Sequence, residues 1–472
     1  MRSVTVTAPP IATRADLRGR RAVVLGLARS GVAAGRALAD AGARVTIYDR
    51  RPAAELAEAV AALGDRPLRL ALAADPAEVR ALLAAAELIV TSPSISADYP
   101  TTDAWLRDAL AAARHAGVEL VSEIELFLRL TRARILAVTG TKGKTTTVAL
   151  LGAILEAGGV SHAVGGNIGQ PLIERADELG PDDWAVLELS ELQLPTISRG
   201  ADVAVYTNIG ADHLDRHGSV EAYRAVKARL AELSAERGTV VLNRDDPGCA
   251  SLGASLPGEV VWYGLAGEGL QATVIDGTVV VAETPLLPVT EVPLPGRHML
   301  SNVLAASLAA ATVGVDPGRI AHGIRGFAGV PHRLETVAER DGLRWVNDSQ
   351  ATIPMAALAG LDAFDAPVVL IAGGRGKGLD YADFADRAAA RCRAAVLIGE
   401  TADDLERLLA ARLPVDRASS MDEAVRLAAK RARPGDVVLL SPAAASFDMF
   451  ADYAARGEAF RAAVAALLEG DR

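Results

Sequence analysis

Short apolar runs alternate with alanine-rich stretches of helical period along most of this chain. RAVVLGL reads as a strand, SGVAAGRALADAG as a helix closed by Gly42, and RVTIYD as the next strand; ELIVTSPSI and HAGVELVS supply two more. Strands spaced by helices predict βαβ units and a parallel sheet. The pattern restarts at RILAVTG, which leads into the helical TTTVALLGAILEAGG, and continues with the strands WAVLELS, DVAVYTNI and GTVVLN. Residues 257–295 break the rhythm. VVWYGL, LQATVIDGTVVVAE and TEVPLPG are short alternating runs with glycine turns, so a small antiparallel patch on a mostly parallel sheet is expected. RHMLSNVLAASLAAATVG follows as a helix, and GFAGVPHRLE (326–335) reads as a linker. Beyond it RWVNDSQ, PVVLIAGG, AAVLIG and DVVLLSP each end a strand at a polar or glycine-rich loop, which predicts a third αβ unit.

The length of 472 residues agrees with two or three domains, each large enough to bury a core without cross-links. Two cysteines, Cys249 and Cys392, are too few for a disulfide framework or a four-thiolate zinc site. The formal net charge of −10 argues against a nucleic-acid binder, which shows a basic excess or stripe. The first twenty residues lack the apolar stretch of a signal peptide, and no run is long enough for a membrane span. A cytoplasmic protein is the expectation.

Two turns carry chemistry. In TGTKGKT (139–145) a strand precedes and a helix follows. Such a loop wraps phosphate with backbone N–H groups and a helix N-terminus. Gly140 and Gly143 allow close backbone approach, Lys144 reaches the outer phosphates and Thr145 offers a hydroxyl to Mg²⁺. The general pattern asks for a glycine where Val138 stands, so the loop is shortened. The second turn, GLARSG, has Gly26 and Gly31 but Ala28 in the middle glycine position; Asp49 ends the following strand. Alone it suggests either a dinucleotide cradle or a tight helix–strand corner.

These loops, with GGNIGQPL, LELSELQL, TNIGADHLDRHGS, AVKARL, NRDDP, LPGRHMLSNVLAA, GVPHRLE, VNDSQAT and LSPAAASFDMF, resemble the Mur ligase family of peptidoglycan synthesis over nearly the whole chain. GGRGKG and the last of those motifs resemble its glutamate-adding branch. The resemblance implies three α/β domains: a Rossmann-like UDP-sugar-binding domain at 1–122, a central P-loop ATPase-type domain at 123–329, and a Rossmann-like amino-acid-binding domain at 330–472. The implied reaction is ATP-dependent ligation of D-glutamate to UDP-N-acetylmuramoyl-L-alanine through an acyl phosphate, by a monomer that uses Mg²⁺, with two ions.

Residue by residue, the resemblance implies that Gly140, Thr141, Lys142, Gly143, Lys144, Thr145 and Thr146 cradle ATP, with Asn302, Arg333 and Asp348. Thr145, Glu188, His213 and Lys227 would hold metal, Lys227 as a CO₂-derived carbamate that turns a cation into an anionic oxygen ligand. Asn167 would lie near the acyl phosphate. Gly26, Ala28, Arg29, Gly31, Asp49, Arg50, Ser92 and Ser94 would bind the UDP-sugar, together with Asn167, Ser190 and Gln193. Thr352, Lys377, Ser446, Phe447 and Tyr453 would take glutamate.

Two residues depart from the family pattern. Gln350 stands where lysine is usual, and Lys142 where asparagine is common. These leave L-glutamate as the alternative substrate. A non-catalytic UDP-sugar-binding module would need Lys144, Glu188, His213 and Lys227 broken, and all four are present. A dehydrogenase is disfavoured because no acid–base constellation accompanies the first turn.

Overall fold

The computed structural model describes residues 11–167, 170–210, 214–293, 296–376 and 378–470. The chain divides into two compact units, Met1–Phe327 and Ala328–Arg472, and the break falls inside the stretch read as a linker.

The first unit contains two sheets. Strands β1 (Arg21–Leu25), β2 (Arg44–Asp49), β3 (Leu68–Leu72), β4 (Leu88–Thr91) and β5 (Glu119–Ser122) pair in parallel in the order β3-β2-β1-β4-β5. The chain reverses direction across the sheet between β1 and β4. In such sheets ligands bind outside the carboxyl ends of the strands at that switch point.

The second sheet is built from β6 (Arg134–Thr139), β7 (His162–Gly166), β8 (Trp184–Glu188), β9 (Val203–Tyr206), β10 (Thr239–Asn243), β11 (Val260–Tyr263), β12 (Ala272–Ile275), β13 (Thr278–Val281) and β14 (Thr284–Pro288), in the order β14-β13-β12-β11-β10-β9-β6-β8-β7. Strands β6 and β8 are apolar almost throughout and buried on both faces, as expected of central parallel strands. The helix Lys144–Ala157 covers the sheet and is itself covered by the helices Arg297–Val313 and Pro317–Arg325. That double burial explains why buried positions of this helix, among them Thr146, Val148, Leu150, Leu151, Gly152, Ile154 and Leu155, spread over more than half of its circumference.

The antiparallel patch is narrower than the sequence pattern suggests. Only β12–β13 and β13–β14 are antiparallel; β11 joins β10 in parallel. The described residues of TEVPLPG form no strand. The run before it, Thr284–Pro288, does, and Val289–Glu291 is a short 3₁₀ turn. Pro293 lacks the N–H that would extend a ladder.

The second unit holds β15 (Glu335–Arg340), β16 (Leu343–Asn347), β17 (Val368–Gly373), β18 (Cys392–Ile398), β19 (Val415–Arg417) and β20 (Val437–Leu440), in the order β15-β16-β20-β17-β18-β19. All pairings are parallel except the hairpin β15–β16, which turns at Asp341–Gly342 and was not legible in the apolar pattern because β15 is charged and only half-buried. Cys249 and Cys392 are free thiols, and burial raises the pKa of both, Cys392 to about 12.

Candidate active site

The loop after β6 has its shape imposed from outside. Val138 is a fully buried strand residue that pairs with Glu188 and Val205, so the position where the general pattern asks for a glycine lies inside the strand. Gly140 has φ 150°, and a Cβ there would stand 1.9 Å from Thr207 Oγ1. Thr207 Oγ1 donates to Lys142 O, while Asn208 grips the same residue at both ends: its Oδ1 accepts from Lys142 N at 2.9 Å and its Nδ2 donates to Lys142 O at 3.0 Å. Gly143 is left-handed, at φ 84°, and a Cβ there would meet Asn302 Oδ1 at 2.5 Å. The helix Lys144–Ala157 starts there with no side-chain cap, which leaves its first N–H groups for an anion. Lys144 folds back, its Nζ donating to Gly140 O at 2.8 Å and Thr141 O at 3.1 Å. Thr141 Oγ1 lies 3.0 Å from the Tyr223 hydroxyl and accepts from Gly210 N at 3.0 Å. Thr146 is buried within the helix packing.

Glu188 ends β8 and is 2% exposed. Its Oε2 accepts from Thr145 Oγ1 and its Oε1 from Asn167 Nδ2, both at 2.8 Å. Asn167 in turn is placed by its own N–H, which donates to Glu188 O at 2.8 Å across the ends of β7 and β8. A hydroxyl and a carboxylate side by side are hard oxygen donors of the kind Mg²⁺ selects. No group of three or more His, Cys, Asp and Glu side chains gathers among the described residues, so a cation here would complete its shell from phosphate and water.

Lys227 lies in the helix Val220–Ser234 and is fully buried. Its Nζ donates to Thr139 Oγ1 at 3.2 Å and Gly140 O at 3.0 Å, and stands 5.6 Å from the Tyr223 ring centroid. Lys144, Thr145, Glu188, Asn167, Lys227 and Asn302 are therefore joined around one loop. His213 falls outside the described residues. His217, four positions on, packs its ring edgewise between Tyr99 and Tyr223.

At the switch point of the first sheet lies a cleft of about 470 Å³, lined by Gly26, Ala28, Asp49, Arg50, Ser92 and Ser94. Asp49 is committed internally. It accepts from Leu27 N at 2.8 Å and from Arg51 N, Nε and Nη2 at 3.0 Å each, bracing the turn after β1. Gly31 is buried against the strand: a Cβ there would sit 1.8 Å from Gly26 O, so its part is close helix–strand packing. Arg29 is exposed at the start of the following helix. Ser190 and Gln193 are buried and spend polar groups on each other, Gln193 Oε1 accepting from Ser190 N and Oγ at 3.0 Å.

In the second unit, Arg333 sits between two residues with left-handed backbone, His332 (φ 62°) and Leu334 (φ 47°). The segment is pinned on three sides: His332 N donates to Glu335 Oε2 at 2.8 Å, Leu334 N to Asp348 Oδ1 at 3.3 Å, and Gln350 Nε2 to Pro331 O at 3.1 Å. Backbone strain held in this way is a mark of functional loops. Gln350, the departure from the lysine pattern, thus acts as a strut under the Arg333 turn. Asp348 is buried, which pushes its carboxyl up to about 7, while Ser441, Leu334 N and nearby Arg333 pull the other way. Thr352 is half-buried near the end of the same loop, and Ser446 is buried beside exposed Phe447 and Tyr453. Lys377 falls outside the described residues.

Sequence reasoning missed Asn208, Tyr223, Arg216 and Arg456. Arg456 is a fully buried guanidinium: Nε donates to Ser349 Oγ and Nη2 to Ser349 O, both at 2.9 Å, and Nη1 to Ala444 O and Ala445 O. Burial lowers its pKa to about 10. It stitches the loop after β16 to the loop after β20. No local spacing announces it; only Gly457 beside it, where a Cβ would meet the His332 ring at 2.2 Å, hints at close packing.

Comparison with known proteins adds two family matches. Residues 138–310 match the family described as Mur ligase middle domain, and residues 332–444 that described as Mur ligase, glutamate ligase domain. The UDP-N-acetylmuramoylalanine--D-glutamate ligase of Solibacter usitatus is 39% identical over 447 residues, 94% of this chain and 97% of that protein. The enzyme of the same name from Pelotomaculum thermopropionicum is 39% identical over 469 residues, 96% and 99% of the two chains. Among solved structures, UDP-N-acetylmuramate-alanine ligase MurC of Thermotoga maritima aligns with a TM-score of 0.59 at 17% identity, over 96% of this chain and all of that one. MurF of Acinetobacter baumannii aligns at 0.55 and 17%, over 95% and 93%. At those identities the structural matches speak for the fold.

Proposed function

This chain belongs to the Mur ligase family, and on that premise we propose how its residues carry out the ATP-dependent joining of D-glutamate to UDP-N-acetylmuramoyl-L-alanine in peptidoglycan precursor synthesis. The observation that carries the reading is the knot around Gly140: two lysines, Lys144 and Lys227, and the pair Thr145–Glu188 meet at one phosphate-type loop.

A free carboxylate resists an amine because its carbon is electron-rich and it has no good leaving group. The substrate carboxylate oxygen attacks the γ-phosphorus of ATP, forming an acyl phosphate and releasing ADP. The neutral amine of glutamate then attacks the acyl carbon. The tetrahedral adduct expels phosphate, and the amine's proton leaves with it or passes to water. The protein's task is to position the groups and offset negative charge. Lys144 exchanges its carbonyl partners for outer phosphate oxygens. The N–H groups at the start of the helix, residues 143–146, hold the rest, with Thr141 and Lys142 fixed by Tyr223 and Asn208 and with Asn302 against Gly143. Thr145 and Glu188 would hold Mg²⁺, which supplies charge compensation at the phosphates. Asn167, tied to Glu188, orients the acceptor carboxylate. We assign Lys227, as a carbamate, and His213 to a second Mg²⁺.

The cleft at Gly26, Ala28, Asp49, Arg50, Ser92 and Ser94 takes the UDP-sugar, with Arg29 and Gly31 shaping its turn and Ser190 and Gln193 on the acceptor side. In the second unit Thr352, Lys377, Ser446, Phe447 and Tyr453 are assigned to glutamate, and Arg333 and Asp348 to the nucleotide. Phe447 is 64% and Tyr453 38% exposed, which leaves both rings open to a ligand. The division at 1–122, 123–329 and 330–472, the monomeric state and a cytoplasmic setting belong to the same proposal. No helix among the described residues is long and apolar enough to cross a membrane.

The test is direct. With ATP, Mg²⁺ and UDP-N-acetylmuramoyl-L-alanine, D-glutamate is expected to yield ADP, phosphate and the ligated product. Product with L-glutamate only would move the chain to the L-specific branch. Phosphate release that needs neither substrate would sink the ligase reading.

A further inference from the structure

We propose that Arg216 reaches from the central sheet's side into the first sheet's cleft and binds the diphosphate of the UDP-linked substrate. The inference rests on reading that cleft as the UDP-sugar site. Arg216 belongs to the short helix Leu214–His217, which follows β9 of the central sheet, yet it lines the same cleft as the Gly26–Ala28 turn. Its only ion pair among the described residues is loose: Nη1 stands 3.8 Å from Glu191 Oε1, well beyond the 2.7–2.9 Å of a charge-assisted hydrogen bond. Its Nε is buried and has no hydrogen-bond partner among the described residues. Buried donors are almost always paired, so the orphan Nε marks a guanidinium at the wall of the cleft that protein partners do not fully hold, and whose remaining donors are left for a ligand.

Its surroundings are under-bonded as well. Tyr99, 8% exposed, has a buried hydroxyl with no partner among the described residues. Burial and neighbouring Glu191 push that phenol up to about 12 while Arg216 pulls it down, which places all three side chains in one polar cluster.

The charge pattern selects the diphosphate. Of the two carboxylates in the cleft, Asp49 is saturated by Leu27 and Arg51, and Asp103 lies at the start of the helix Ala104–His115. The Gly26–Ala28 turn opens onto the helix Arg29–Asp40, whose N-terminal end carries the partial positive charge of the helix. A guanidinium lining the same cleft as that turn has the planar fork that matches phosphate oxygens. Arg216 is followed directly by His217, whose ring packs on Tyr223, the residue that touches Thr141 of the ATP loop. The cation on the UDP-sugar is thus built onto the ATP-binding domain.

The test uses the full-length protein with Arg216→Ala and Arg216→Lys, and titrates UDP and uridine separately. Arg216→Ala is expected to weaken UDP by about ten- to a hundredfold, the range of a hydrogen bond to a charged group, and to leave uridine within twofold. Arg216→Lys should restore part of the loss, because it keeps the charge without the fork. In ligation, the KM for UDP-N-acetylmuramoyl-L-alanine should rise while the KM for ATP stays put. UDP affinity within threefold of wild type overturns the assignment, as does an equal loss for uridine. A loss seen with the full substrate but not with UDP also overturns it, in favour of the sugar's acid group. Wild-type protein indifferent to UDP would instead sink the reading of the cleft itself.

Discussion

Lys144 and Lys227 donate to one and the same atom: the carbonyl oxygen of Gly140 accepts from the first at 2.8 Å and from the second at 3.0 Å. The two residues are 83 positions apart (227 − 144) and lie on different helices. Their convergence ties two helices to one glycine-rich corner, so the position of the loop depends on both side chains.

Removing the nearer cation tests the loop. Lys144→Ala is expected to lower ligation by about 10²–10³ or more, since a preorganised charge aimed at developing negative charge is lost. The lysine's partners are backbone carbonyls, which water can satisfy in its absence, so the melting temperature should change little. ADP release measured against wild type decides it; a rate within a few-fold contradicts the assignment.

Lys227 tests the carbamate. Activity of the wild type should fall when CO₂ is stripped from the buffer and return with bicarbonate. Lys227→Ala should lose activity and regain part of it with a small carboxylate such as acetate. No response to either manipulation would leave Lys227 as an amine that holds Thr139 and Gly140 in place.

Gly140 tests the backbone. A methyl group at this position would overlap Thr207 Oγ1, and φ 150° is itself costly for any other residue. Gly140→Ala should raise the KM for ATP about tenfold or more through displacement of the loop. Adding Thr207→Ser should not relieve it, because the clashing oxygen stays; Thr207→Ala should relieve part. Independent, additive effects of the two substitutions would count against the clash.

Glu123 gives a pH signature of stability. It lies in the helix Glu123–Leu130, is fully buried, and has an Oε1 with no hydrogen-bond partner among the described residues. Burial raises its carboxyl to about 7 from an ordinary 4.5, against a hydrogen bond from Ile173. The unfolded chain releases this proton near pH 4.5 and the folded chain near 7, so between them the folded state binds more protons and stability falls as pH rises. The loss reaches at most about 3 kcal/mol. Glu123→Gln should flatten the decline in melting temperature between pH 5 and 8 and melt higher than wild type at pH 8. Parallel curves for the two proteins would contradict the placement of the charge.

The sequence was most informative where chemistry is local. TGTKGKT shows its phosphate-type loop because two glycines, a lysine and a hydroxyl within seven residues constrain one stretch of backbone. Glu188 and Lys227 were legible only through the quoted motifs LELSELQL and AVKARL that carry the family resemblance. Gln350 was legible only as a departure; its use, a strut from its side-chain amide to Pro331 O, depends on a turn nineteen residues earlier in the chain. TEVPLPG misled because alternation predicts a strand and cannot register that prolines deny it a ladder.

By itself, then, the chain's order of residues determined the alternation of strands and helices, the phosphate-type corner and the family to which it belongs, since these rest on contacts among near neighbours and on recurring motifs. Only the tertiary structure decided that Asn208 clamps Lys142, that Tyr223 touches Thr141, that Arg456 stitches two loops and that Arg216 crosses to the first sheet's cleft. Each of those contacts joins segments brought together by the packing of a whole sheet, and no spacing along the chain records which side chains such packing leaves face to face.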